Sequence, residues 1–268
     1  MESPLQTSAL PQTPAELRSL IRQGDLVRPT AGMAPGYVQA NLVILPKDLA
    51  FDFMVFCQRN PKPCPLLEVV EAGSPEPSQM ALGADLRKDV GKYRIYKNGA
   101  MIDEPEDISD IWKEDLVSFL IGCSFTFEAA LLDADIPLRH IEQDSNVSMY
   151  ITSIQTAPAG AFSGPMVVSM RPIKQDKVIK AVTVTTRYPS VHGAPIHIGN
   201  PESIGIQDIT TPDIGDPTDI LDDEVPVFWA CGVTPQAVAM NSKPSLMITH
   251  SPGHMFITDS PDEKYSVL

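Results

Sequence analysis

The stretch Ser118-Phe-Leu-Ile-Gly-Cys-Ser-Phe-Thr-Phe-Glu-Ala-Ala-Leu-Leu132 decides how the rest of the chain is read. Up to it, Trp112, Leu116, Phe119 and Leu120 recur at helical spacing, which predicts one buried helical stripe. Gly122 interrupts that pattern. Phe125, Ala129 and Leu132 then begin a second stripe, with Ser124 as its N-cap. The first amides of the second helix have no intrahelical partner, and a helix N-terminus attracts a carboxylate or phosphate. Cys123 and Ser124 stand at that junction as candidate substrate contacts. Glu128, one turn further on, is a candidate acid or base. Plain packing competes with this reading, because free cysteine is among the most buried residue types.

Towards the N-terminus, Thr13-Pro14-Ala15-Glu16 is a capping box with proline at the first helical position, and the helix closes at Gly24. The segment Arg28-Pro-Thr-Ala-Gly-Met-Ala-Pro-Gly-Tyr-Val-Gln-Ala-Asn41 reads as an ordered loop entering a helix. Its glycines, Gly32 included, let backbone approach a ligand closely. Arg28 suits a carboxylate clamp, and Tyr37 and Asn41, one helical turn apart, would face the same pocket. Pro46 to Asn60 reads as a helix and Leu66 to Val70 as a buried strand. Tyr93 to Ile102 reads as a hairpin turning at Asn98-Gly99.

Towards the C-terminus, Ile136 to Ile141 reads as a strand, with His140 a packed core or rim histidine. Met166 to Met170 reads as a buried strand, Lys174 to Lys180 as a short helix and Val182 to Arg187 as a strand. This alternation predicts a compact α+β unit inserted in the chain. Gly160 to Gly164 matches neither a Walker A nor a Gly-x-Gly-x-x-Gly pattern, which disfavours a nucleotide. Arg187-Tyr-Pro-Ser-Val-His-Gly-Ala-Pro-Ile-His-Ile-Gly199 holds the densest polar chemistry. His192 and His197 lack the spacing of a helical metal pair. In a proline-fixed loop they suit acid and base work near neutral pH, with Arg187 a second arginine for a carboxylate. Asp208 to Glu224 is an acidic linker without EF-hand spacing. Val225 to Cys231 is a strand that turns through Gly232 into a helix beginning at Thr234-Pro235, the kind of crevice where open α/β sheets bind ligands. A last strand, Leu246 to Thr249, runs into His250-Ser-Pro-Gly-His-Met255 and supplies His254 as a further site candidate. Glu263 to Leu268 reads as a loose tail.

The 268 residues can bury a large core. Thirty-four acidic against 20 basic residues give a net charge of −14, which argues against nucleic acid and an anionic membrane but not against a small anionic substrate. Met1 to Ser8 lacks the basic-then-apolar order of a secretory signal, and no apolar run has transmembrane length. The four cysteines form no Cys-x-x-Cys pair, so no metal site is expected and a cytoplasmic location fits. The predicted fold is α/β: a three-layer α/β/α main domain from residues 1–135 and 222–268, with a smaller α+β domain at 136–221 inserted in it. A homodimer is compatible with this reading.

Several of these segments together resemble the D-glutamate cyclase family, whose bacterial members carry the label "putative hydro-lyase". They are Arg28 to Asn41, Cys57 to Pro65, Ser118 to Leu131, Arg139 to Glu142, Phe162 to Pro172, His192 to Gly199 and Val225 to Gln236. The resemblance implies a two-domain α/β fold, no cofactor, and conversion of D-glutamate to 5-oxo-D-proline with loss of water. Dehydration of another small hydroxy acid, or binding of a small acid without turnover, are the alternatives. The candidate site residues come from the side chains themselves: His192, Glu128 and His197 for catalysis, and Arg28, Gly32, Tyr37, Asn41, Cys123, Ser124, Arg187 and His254 for binding.

Overall fold

A computed structural model describes residue 11 and residues 13–267. The N-terminal segment Met1 to Ser8 and the last residue of the tail lie outside them. In chain order the elements are α1 (Pro14–Gln23), β1 (Tyr37–Pro46), α2 (Lys47–Arg59), β2 (Leu66–Val70), β3 (Tyr93–Lys97), β4 (Ala100–Asp103) and β5 (Leu116–Gly122). There follow α3 (Glu128–Asp133), α4 (Arg139–Glu142), β6 (Met149–Gln155), β7 (Pro165–Lys174), α5 (Val178–Thr186), β8 (His197–Ile198), β9 (Glu224–Ala230), α6 (Thr234–Ser242), β10 (Met247–His250) and β11 (Phe256–Pro261). The architecture is mixed α/β, as the sequence predicts. Among the described residues every strand pairing is antiparallel.

The first sheet runs β2-β5-β1-β10-β3-β4, with β11 also paired to β1. Its central strands are covered on both faces. Val38, Ala40, Leu42 and Ile44 of β1 enter one cluster with Leu116 and Leu120 of β5. Val43 and Leu45 enter another with Val117, Phe119 and Ile121, capped by Phe53 and Phe56 of α2. This double burial corrects the opening expectation. All seven residues of β5 are buried, so no polar face betrays the strand, and a short apolar run cannot be told from a helix by periodicity alone. The helix expected through Tyr37 and Asn41 is β1 for the same reason.

The second sheet runs β6-β7-β9-β8. On β7, Val167 and Ile173 face one side, while Val168 and Met170 face the other with Tyr150 and Phe228. Val178–Thr186, expected in part as a strand from its β-branched residues, is the helix α5. Ala181 and Thr185, four apart, are its buried stripe, so packing overrides propensity. The strand expected around Ile136 to Ile141 is replaced by the short helix α4. The tail is fastened rather than loose, because the Val267 amide donates to the Arg187 carbonyl at 2.7 Å. The hairpin follows expectation, with Asn98 at φ 51° and Gly99 at φ 84°, the left-handed pair that a type I′ turn requires. Among the described residues no helix is long and apolar enough to cross a membrane.

Candidate functional site

The chain after β5 makes a 3-10 turn over Ser124–Phe127 before the six residues of α3. Cys123, not Ser124, is the cap. Its sulfur accepts from the Phe125 amide at 3.5 Å and its carbonyl from the Thr126 amide at 3.1 Å. The Ser124 hydroxyl instead accepts from Arg171 Nη2 at 3.0 Å.

Arg171 is the centre of this region. It sits on β7 with no solvent exposure. Ser169, two residues back on the same strand face, accepts from its Nη1 at 3.1 Å. Its guanidinium carbon lies 5.6 Å from the ring centre of Phe127 and 5.5 Å from that of Trp229. A buried guanidinium needs a counter-charge and satisfied donors. Glu128 supplies the charge: its Oε1 accepts from Arg171 Nε at 3.0 Å and also from Nη2. His140 Nε2 lies 3.1 Å from the same oxygen, out of line for a hydrogen bond. Three nitrogens thus crowd one carboxylate oxygen, two of them as hydrogen-bond donors. Glu128 Oε2 and His140 Nε2 are buried without hydrogen-bond partners among the described residues. Burial raises the Glu128 pKa, but the charges of His140 and Arg171 outweigh it and hold the carboxyl down at about 2. Glu128 is therefore ionised at neutral pH.

Two hollows adjoin this cluster. A small one, about 80 Å³, is lined by the Gly32–Gly36 loop, Tyr37 and Glu128. A larger one, about 390 Å³, is lined by Arg28, His140, Asn146 and Asp216. Gly32, Leu132 and Ile141 line both, so the two hollows are neighbours, and together they make up the cleft region. Gly32 holds φ at +74°, a conformation that favours glycine. Arg28 at the rim is ion-paired with Asp144.

The structure therefore brings Arg28, Gly32, Tyr37 and Glu128 to one cleft, with Ser124 behind it through Arg171. Asn41 is buried on β1, donating to the Gly122 carbonyl at 2.7 Å. A Cβ at Gly232 would fall 1.9 Å from Asn41 Nδ2, so the turn after β9 packs directly on this side chain. Cys123 is buried, and burial drives its thiol far above the usual range; Cys231, in the same cluster, is pushed up to about 11. Both are thiols, not thiolates, at neutral pH. His192 is buried at φ +83°. Its Nδ1 lies 2.8 Å from the Lys62 carbonyl, and Nε2 is without a partner among the described residues. Burial lowers its pKa to about 4. His197 is on the edge strand β8, with Nε2 2.7 Å from the Asn200 carbonyl. Arg187 is exposed at the end of α5. His254 is in a separate polar group with Lys92, Arg94 and Glu104. Asn41, Cys123, His192, His197, Arg187 and His254 do not line the cleft.

Sequence reasoning missed Arg171 and set His140 aside. An arginine inside the apolar run of a buried strand was the available signal, because arginine is rarely buried without a partner. Among the described residues no three His, Cys, Asp or Glu side chains gather as a metal group.

Fold and site define a class: a two-sheet α/β protein whose cleft abuts a buried arginine–carboxylate–histidine cluster. The comparisons with known proteins specify it. Residues 117–259 match the D-glutamate cyclase family model. A protein of Thermoanaerobacter sp. (strain X514) named "Putative hydro-lyase" is 66% identical over 93% of this chain and 94% of its own length. One of Geobacillus kaustophilus with the same label is 62% identical over 98% and 100%. "Putative hydro-lyase YcsI" of Bacillus subtilis is 61% identical over 95% and 99%. The chain belongs to the D-glutamate cyclase family.

Proposed function

We propose that the chain is a hydro-lyase acting on a small amino or carboxylic acid, and that D-glutamate, closing to 5-oxo-D-proline and water, is its first substrate to test. The observation that carries this reading is Glu128 Oε2, an ionised, buried and unpartnered acceptor on a residue that lines the cleft. A buried acceptor left unmade costs about 1–3 kcal/mol, and a substrate ammonium would recover it. Arg28, which lines the larger hollow and is ion-paired with Asp144, would exchange that partner for the substrate's α-carboxylate. Cyclisation forms a bond from the amino nitrogen to the γ-carboxyl carbon and breaks one carbon–oxygen bond. Two ammonium protons end on the departing oxygen, which leaves as water. His140, beside Glu128 at the wall of the larger hollow, is suited to carry them. Holding the amine and γ-carboxyl together in a small cleft supplies the positioning effect. The names of the relatives support the hydro-lyase part of the reading.

The test is incubation of the purified chain with D-glutamate, following 5-oxoproline by chiral chromatography with L-glutamate alongside. Product that depends on Glu128 is expected. Product undiminished in Glu128→Gln would overturn the site. Binding without product from any small acid would replace the enzyme reading with a binding protein.

A further inference from the structure

Arg171 does not line the cleft, yet its contacts leave one particular oxygen of Glu128, a residue that does, without a hydrogen-bond partner. We infer that Arg171 is a positioning residue: by loading both Nε and Nη2 onto Oε1 it leaves Oε2 as the single free acceptor, aimed at the substrate amine. This rests on the reading of the cleft given under Proposed function.

The geometry carries the inference. Arginine meets a carboxylate most commonly with two parallel bonds, one to each oxygen. That arrangement would occupy Oε2. Here both donors converge on Oε1, and Oε2 has no hydrogen-bond partner. The guanidinium has little freedom to rotate into the parallel arrangement. Nη1 is tied to Ser169 and Nη2 to Ser124, and the Phe127 and Trp229 rings pack beside the guanidinium. Trp229 is itself pinned, since its Nε1 donates to Thr185 Oγ1 of α5 at 3.1 Å. The second sheet thus fixes the orientation of a carboxylate that belongs to the segment following the first. Lysine would keep the charge but not this planar set of donors. The groups facing Glu128 are His140 from α4, Arg171 from β7 and Cys123 before the 3-10 turn. Those facing Arg171 in turn include His192 and Cys231.

Two measurements on the full chain test the proposal. The first is the pH dependence of D-glutamate turnover in Arg171→Lys. The acid limb is expected to rise by about one pH unit or more, and kcat to fall at least roughly tenfold with KM within about threefold. In a Glu128→Gln background the same change is expected to cost no further kcat, because the two residues act as a unit. The second is a carbon-13 titration of the Glu128 carboxyl, which needs no substrate. Its midpoint is expected to move up in Arg171→Lys and, by less, in the milder Ser124→Ala/Ser169→Ala double variant. An unmoved midpoint in both variants overturns the proposal, as does a kcat loss that adds in full to that of Glu128→Gln. A wild-type chain that turns over no acid, with the midpoint still shifted, overturns the functional reading and leaves the control of Glu128 by Arg171 standing.

Discussion

Two carboxylates of this chain sit against arginines, and their surroundings differ in one respect that separates a site from a brace. Glu104 accepts from Arg94 Nε and from the Ser251 hydroxyl through Oε1, both at 2.8 Å, while Lys92 Nζ lies 3.1 Å from Oε2. Glu128 has three nitrogens, two from Arg171 and one from His140, around Oε1 and none bonded to Oε2. Both are held at about 2, each against its own desolvation, Glu104 chiefly by the hydrogen bonds from Arg94 and Ser251 and Glu128 by His140 and Arg171. A depressed pKa therefore does not distinguish them. Exposure and the spare oxygen do: the Glu104 side chain is 29% exposed and the Glu128 side chain 4%. An acceptor that is fully used at the surface ties loops together. One that is buried, charged and incompletely used keeps an oxygen without a partner, the feature on which the proposed function rests.

Acid is the strongest lever on this contrast. Burial lowers His192, His250 and His254 to about 4 from an ordinary 6.5. Between those values the unfolded chain binds more protons than the folded one, so stability is complete above about pH 6.5 and falls as pH drops towards 4. Two of the three, His250 and His254, belong with Arg94 and Glu104, and one, His192, faces Arg171. Urea midpoints measured across this range should fall steeply, and His250→Gln should flatten the fall. A midpoint constant from pH 7 to 4.5 would contradict the burial of these rings.

The next effect is at Glu128. Its replacement by glutamine leaves the Arg171 cation buried without a counter-charge and should cost on the order of 3 kcal/mol in denaturant unfolding. Turnover should fall by roughly 100-fold or more. Glu104→Gln removes a partly exposed charge and should cost about 1 kcal/mol or less. Smallest is the effect of salt. Raising ionic strength to about 1 M should erase most of the Glu104 contribution and little of the Glu128 one, because buried pairs are screened far less. Equal salt sensitivity of the two variants would break the comparison.

How much of this was legible follows the same division between local and distant contacts. Pro14 at the start of α1, the Asn98-Gly99 turn and Pro235 at the start of α6 are set by neighbours within a few residues, and the structure places α1, the hairpin and α6 there. The capping box itself does not form, because the Thr13 hydroxyl donates to the Glu16 carboxylate and caps no backbone amide. The strands β1 and β5 read as helices in the sequence because both faces of each are covered, which removes the alternation that marks a strand. In α5, valine and threonine favour a strand by themselves, but the Trp229 indole finds Thr185 only on a helix that presents it beside Ala181. At the site, Arg28, Gly32, Tyr37 and Glu128 could be named from the loop and the junction. Arg171, 43 residues from Glu128 in sequence, has no local mark except an arginine in an apolar strand.

The separation between Glu128 and Arg171 also bears on the order in which the molecule assembles. Arg171 is held in place only once β7 has paired with β9, since Trp229 lies on that neighbour. The ion pair joins the segment after β5 to a sheet that must already be in register, and contacts of long sequence separation close late. Substitutions at the pair should then leave the refolding rate nearly unchanged and accelerate unfolding, as for interactions absent from the transition state. The cleft would be among the last features to appear when the chain folds and among the first to be lost when it opens.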